Sequence, residues 1–168
     1  AEMVGALANL SVEGFQNLVI DLRDNNGGYL EAATQMANEF LPKDRLIVYT
    51  QGRKSPRMNY KSDGRGVFQK LPIVVLINEG SASAAEIFAG AIQDNDRGMV
   101  IGRRSFGKGL VQKQIEFPDG SMIRLTVARY YTPSGRCIQK PYVLGDGADY
   151  EHDLLSRYQH GEYFSQDS

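Results

Sequence analysis

The sequence predicts a layered α/β domain. Three observations carry that reading: short apolar runs of strand length recur along the chain, helix-like runs of apolar and small residues lie between them, and glycine-rich turns mark the passages. At 168 residues and 42% apolar, the chain is long enough for one domain with its own core. Its 19 basic and 20 acidic residues leave a net charge of −1, which argues against a general nucleic-acid-binding surface.

Taken in order, a lead-in helix is expected over 1–13, then a buried strand over 17–22 that runs through a glycine-rich turn into a helix over 29–40. A strand over 45–50 follows, then a loop over 51–70. Its cluster Arg53, Lys54, Arg57 and Lys61, with Tyr60 nearby, reads as a solvated loop. The continuous apolar run at 71–78 predicts a strand over 72–78 buried on both faces. A helix over 83–94 and a strand over 98–102 come next. Alternation over 110–116 and a partner run at 121–130, joined at Asp119-Gly120, predict a β-hairpin. Beyond Pro141 the pattern weakens to a short helix over 150–158 before a frayed end. No internal repeat interrupts this order, and no stretch approaches the roughly 20 apolar residues of a membrane span or reads as a signal peptide.

Two segments carry most of the chemical information. Gly80-Ser81-Ala82-Ser83-Ala84-Ala85-Glu86 opens the helix at 83–94, and Ser105-Phe106-Gly107-Lys108-Gly109 opens the strand at 110–116. A serine at a strand-to-helix turn sits where unpaired N–H groups and the helix dipole favour developing negative charge. Such a nucleophile still needs a base. A lysine serves only where desolvation keeps its amine neutral, below the ordinary value of about 10.4. Lys108, between two glycines and after Phe106, has neighbours compatible with such a pocket.

Each piece also has a plainer reading. Ser81 or Ser83 can be a helix cap, with Glu86 completing a capping box for Ser83, and Gly-Lys-Gly can be a solvent-facing turn. The third segment, Asp21-Leu22-Arg23-Asp24-Asn25-Asn26-Gly27-Gly28, either presents glycine N–H groups to an oxyanion or simply turns the chain.

Other chemistries fit less well. Gly102 to Lys108 matches Gly-x-x-x-x-Gly-Lys after an apolar strand, as in nucleotide-binding loops, but Gly109 stands where a magnesium-holding hydroxyl is needed and a strand follows in place of a helix. His152 and His160 lie in the polar stretch near the C-terminus, a poor setting for a Ser-His-Asp triad. Cys137 is the one cysteine, which excludes an intrachain disulfide and a cysteine metal cluster; it reads as a buried or partly buried thiol.

The three segments together, in this order and spacing, resemble the carboxyl-terminal processing peptidases, also called tail-specific proteases. The matching pieces are 21–28, Ser-Ala-Ser-Ala-Ala-Glu at 81–86 and Phe-Gly-Lys-Gly-Leu-Val-Gln at 106–112, with a weaker match at 126–135. The resemblance covers 1–140 and implies a Clp protease/crotonase-like catalytic core, with 141–168 as an extension. It implies a serine endopeptidase that cleaves near exposed C-termini through a Ser-Lys dyad and an acyl-enzyme, with neither cofactor nor metal.

Carried over by position, Ser83 is the nucleophile, Lys108 the base, Gln112 the residue that orients the lysine amine, and Ser81 a supporting residue. The N–H groups of Gly28 and Ala84 form the oxyanion hole, and a Cβ at Gly28 would obstruct the carbonyl. If the strand begins near 108, Lys108 and Gln112 share a face. The partners implied are a polypeptide substrate and further copies of the chain; the setting implied is the cell envelope or plastid lumen. Full-length relatives carry a PDZ domain ahead of this region, so the chain reads as a core fragment of low or no activity by itself. A non-catalytic peptide-binding module on the same fold is the alternative from another class.

Overall fold

The computed structural model describes residues 2–141 and 148–163. Helix α1 (Glu2–Glu13) leads into strand β1 (Leu18–Asp21), followed by α2 (Leu30–Phe40), β2 (Leu46–Gln51), β3 (Met58–Lys61) and β4 (Ile73–Ile77). Then come α3 (Ala84–Asp94), β5 (Met99–Gly102), the hairpin β6 (Leu110–Glu116) and β7 (Met122–Tyr131), and finally α4 (Ala148–Gln159). The expected elements are present, and the extension holds its short helix; residues 142–147 and 164–168 of that extension lie outside the described residues.

The strands form two sheets. β1, β4 and β5 are parallel, in the order β1-β4-β5, and the antiparallel sheet runs β3-β2-β7-β6. Between them lies α3, buried over nearly its whole length because Ala84, Ala85, Ala89, Gly90 and Ala91 let neighbouring backbone approach from several sides. Phe40 of α2 meets Phe88 of α3 edge to face, 6.1 Å between ring centres, with Ile47, Val48, Val75 and Ile92 packed into the same core. Arg97, just after α3, donates to the carbonyls of Phe40, Phe68 and Leu71 at 2.6–2.7 Å and so ties three chain segments together.

Two expectations are corrected. β4 is buried on one face only: Ile73 and Val75 enter the core, while Val74 lies in register between Val19 and Met99, each 61% exposed. The helices pack on the first face, and no described element covers the second. Within the expected loop 51–70, Met58–Lys61 forms β3 on β2. Met58-Asn59-Tyr60-Lys61 alternates, but over only four residues beside a basic cluster, and as an outer strand it is held by backbone pairing more than by side-chain burial.

The hairpin turn forms where Asp119-Gly120 predicts it, with Gly120 at φ +83° and its N–H donating to the Phe117 carbonyl at 3.0 Å. Residues 112–126 project into solvent on both faces of the hairpin.

Candidate active site

Three turns meet at the C-terminal ends of β1, β4 and β5. The first, after β1, is tied to the second by Asn78, whose side-chain oxygen accepts the N–H groups of Asp24 (2.8 Å) and Gly80 (3.0 Å) while its amide donates to the Asp24 carboxylate (3.0 Å). Ala82 N–H donates to the Asn25 carbonyl at 2.9 Å. These bonds lay the glycine turn against the start of α3.

The two serines separate here. Ser81 is fully buried; its hydroxyl accepts the Asn78 N–H at 2.9 Å and donates to the Leu22 carbonyl at 2.6 Å, which makes it a cross-brace between the ends of β1 and β4. Ser83, half-buried two residues later, has φ 56° and ψ −114°. A side chain with a Cβ rarely occupies that backbone region, and nucleophilic serines on sharp strand-to-helix turns do.

Gly27 makes this turn possible. It sits at φ +86°, and a Cβ there would lie 2.4 Å from the Ala82 carbonyl oxygen and 2.6 Å from Ala84 N. At Gly28, a Cβ meets nothing within 4 Å. The first glycine is therefore packed against the Ala84 amide at the start of α3, and the second faces open space.

The third turn, 103–109, carries Lys108. Glu86, 6% exposed in the first turn of α3, organises it. One carboxylate oxygen accepts the Ser105 hydroxyl (2.6 Å) and the Gly107 N–H (2.7 Å). The other accepts the N–H groups of Ser83 and Lys108, each at 2.8 Å, so the two amide nitrogens are no further apart than twice that distance. The capping interaction expected for Glu86 is present on its carboxylate side, and the same group also grips the lysine loop. Its role in that loop was not readable from spacing, since Gly107 and Lys108 are more than 20 positions away in sequence.

The opposite side of the loop is held by the segment after β7. Gly109 N–H donates to the Gln139 side chain (3.0 Å), and Lys140 N–H donates to the Gly107 carbonyl (3.0 Å). A nucleotide phosphate is a poor guest here: the Gly107 and Lys108 amides that would cradle it already face a carboxylate, and β6 follows in place of a helix.

Lys108 and Gln112 are exposed, and among the described residues no hydrogen bond links the Lys108 amine to Ser83 or Gln112. β6 begins at Leu110, so Lys108 precedes the strand and the shared-face condition is not met. A register shift against β7 between Val111 and Gln112 bends the ladder at the same place. Cys137 is exposed, contrary to expectation, because it lies on the surface turn after β7. His152 and His160 are exposed on and after α4, and among the described residues no hydrogen bond links either to Ser83.

The rim beside the site is charged but internally paired. Hydrogen bonds from Arg23 hold the Asp21 carboxyl down to about 2, and the Arg103 guanidinium, 2.8 Å from Glu79, lowers that carboxyl too. Asp21, Arg23 and Arg103 border a cleft of about 620 Å³ at the ends of the parallel strands, which includes neither Ser83 nor Lys108.

A model of peptidase family S41 matches residues 1–148. The chain belongs to that family. It is 41% identical over 145 residues to a carboxyl-terminal-processing protease of Synechocystis, covering 86% of this chain and 34% of that protein. It is likewise 41% identical over 141 residues to a chloroplastic C-terminal processing peptidase of Tetradesmus obliquus, 84% of this chain and 30% of that one. Among solved structures, the photosystem II D1 C-terminal processing protease superposes with a TM-score of 0.74 at 40% identity, over 80% of this chain and 35% of that protein. This S41 chain thus spans about a third of the length of these relatives, and the fold is the Clp protease/crotonase-like one expected from its motifs. A putative S41 protease of Bacteroides fragilis, at 17% identity and a TM-score of 0.62, shares the fold.

Proposed function

We propose that this S41 chain is the catalytic core of a serine endopeptidase that processes polypeptides near exposed C-termini. The observation that carries the reading is the buried Glu86 oxygen that holds the backbones of Ser83 and Lys108 side by side. From that anchor the flexible four-carbon stem of Lys108 can swing toward the Ser83 hydroxyl. Lys108 takes the serine proton, Ser83 attacks a peptide carbonyl, and the N–H groups of Gly28 and Ala84 receive the oxyanion. The lysine then hands the proton to the leaving amine, and later activates the water that frees the acyl-enzyme. Gln112 orients the amine as the loop closes.

Substrate is read mainly through its backbone. β6 is the outer strand of its sheet, and its free edge starts two residues after Lys108, so an extended polypeptide adds there as a further strand. The relatives named as C-terminal processing proteases support the preference for chain ends, and the chloroplastic one supports a setting in an envelope or organelle compartment. No helix among the described residues is long and apolar enough to cross a membrane.

The test is covalent labelling with a fluorophosphonate probe, followed by mass mapping. Label is expected on Ser83 and is lost in Ser83→Ala. Label that persists in that variant overturns the assignment of the nucleophile.

The two glycines give a separate expectation. Gly27→Ala forces a Cβ into backbone at 2.4 Å and is expected to lower stability by about 2 kcal/mol or more in urea unfolding. Gly28→Ala, with open space around its Cβ, is expected to stay within about 0.5 kcal/mol of the parent yet slow Ser83 labelling. A Gly28→Ala chain that labels at the parent rate removes Gly28 from the oxyanion hole.

A further inference from the structure

Arg157 is one of the few buried charged side chains among the described residues, 3% exposed, and it sits on α4, which begins where the S41 match ends. Its guanidinium faces two ways. On one side it pairs with both carboxylate oxygens of Glu162, at 2.9 and 3.0 Å. On the other it donates to the backbone carbonyls of Arg104 and of Ser105 (3.4 Å), the two residues that lead into the lysine loop. Arg104 in turn reaches Glu162 at 3.4 Å and Asp153 at 3.7 Å, and Asp153 pairs with Lys140 at 2.9 Å.

We propose that Arg157 is a positioning residue for the loop that carries Lys108. The consequence for catalysis rests on the Ser-Lys reading above; the clamp itself does not. With the carbonyls of Arg104 and Ser105 fixed, the Ser105 hydroxyl and the Gly107 and Lys108 amides point at Glu86, which also holds Ser83. A cavity of about 660 Å³, lined among others by Gly90, Ser105, Phe106, Gly107 and Arg157, lies beside these contacts, between the loop, α4 and the segment after β7. A guanidinium fork constrains two peptide planes at once, which an aliphatic contact does not. Misplacement of a catalytic group by about 1 Å can cost on the order of a hundredfold in rate, so a strut at this point bears on the chemistry without touching substrate.

Two readouts on the whole 168-residue chain decide this. Amide hydrogen exchange by NMR at Gly107 and Lys108 is expected to accelerate about tenfold or more in Arg157→Ala, with β2 amides unchanged. The rate of fluorophosphonate labelling at Ser83 is expected to fall by about tenfold or more in the same variant and to recover in part in Arg157→Lys, which keeps a donor. Should Arg157→Ala lower the global unfolding midpoint, Glu162→Gln, which weakens the clamp from its outer side, reports the same two quantities. Unchanged exchange at Gly107 and Lys108 overturns the clamp. Faster exchange with an unchanged labelling rate overturns the positioning role. A parent chain whose Ser83 does not label counts against the Ser-Lys reading instead, and the exchange result still decides the clamp.

Discussion

Lys108→Ala is expected to reduce Ser83 labelling and peptide cleavage by about a thousandfold while leaving the urea midpoint within about 0.5 kcal/mol of the parent. The two halves of that expectation have different origins. General-base catalysis typically contributes 10²–10⁴-fold, and Lys108 is the base proposed for Ser83. The side chain itself is exposed, and its backbone N–H is the group engaged by Glu86. An alanine keeps that amide, so the loop stays in place. Lys108→Arg sharpens the result: it restores the charge and most of the length, but a guanidinium does not give up its proton in a protein and cannot serve as base. Parent-like cleavage by either variant would show that the proton goes elsewhere.

Glu86→Ala should combine a large stability loss with a loss of reactivity. Four donors converge on this carboxylate: the Ser83, Gly107 and Lys108 amides and the Ser105 hydroxyl. Each buried donor left without a partner costs about 1–3 kcal/mol, and some of the four regain water on the exposed side of the loop. A net loss of about 3 kcal/mol or more is expected from urea unfolding. Glu86→Gln is the more discriminating variant because it keeps the volume but turns an NH₂ toward two N–H or O–H donors. It should remain folded with partly lowered stability, and Ser83 labelling should fall further than the stability change alone explains. A Glu86→Gln chain that labels normally would mean that the shared carboxylate is a helix cap and nothing more.

Local pattern and the recurrence of known motifs made the larger part of this molecule legible. The alternation of strand and helix, the Asp-Gly hairpin and the helix opening at Ser83 all depend on residues within a few positions of one another, and all are present. What escaped was set by partners far away in sequence. β3 exists because β2 offers an edge to pair with. The exposed face of β4 follows from which side the helices take, since a run such as 73–77 is equally apolar on both. Cys137 and Gln112 were judged from neighbours in the chain, and a surface turn and a strand starting at Leu110 decided their settings.

By itself, the sequence determined the fold class, the family and the short list of candidate groups proposed above, because serine, lysine and glycine at fixed spacings constrain what backbone and chemistry can follow. Only the tertiary structure distinguished Ser81, braced in the core, from Ser83, held at φ 56° on the turn. It alone brought Glu86 and Arg157 to the lysine loop from 22 positions before Lys108 and from a helix beyond it. The reason is physical: a hydrogen bond depends on distance and direction in space, and residues so far apart along the chain acquire both only when the sheets and α3 have packed.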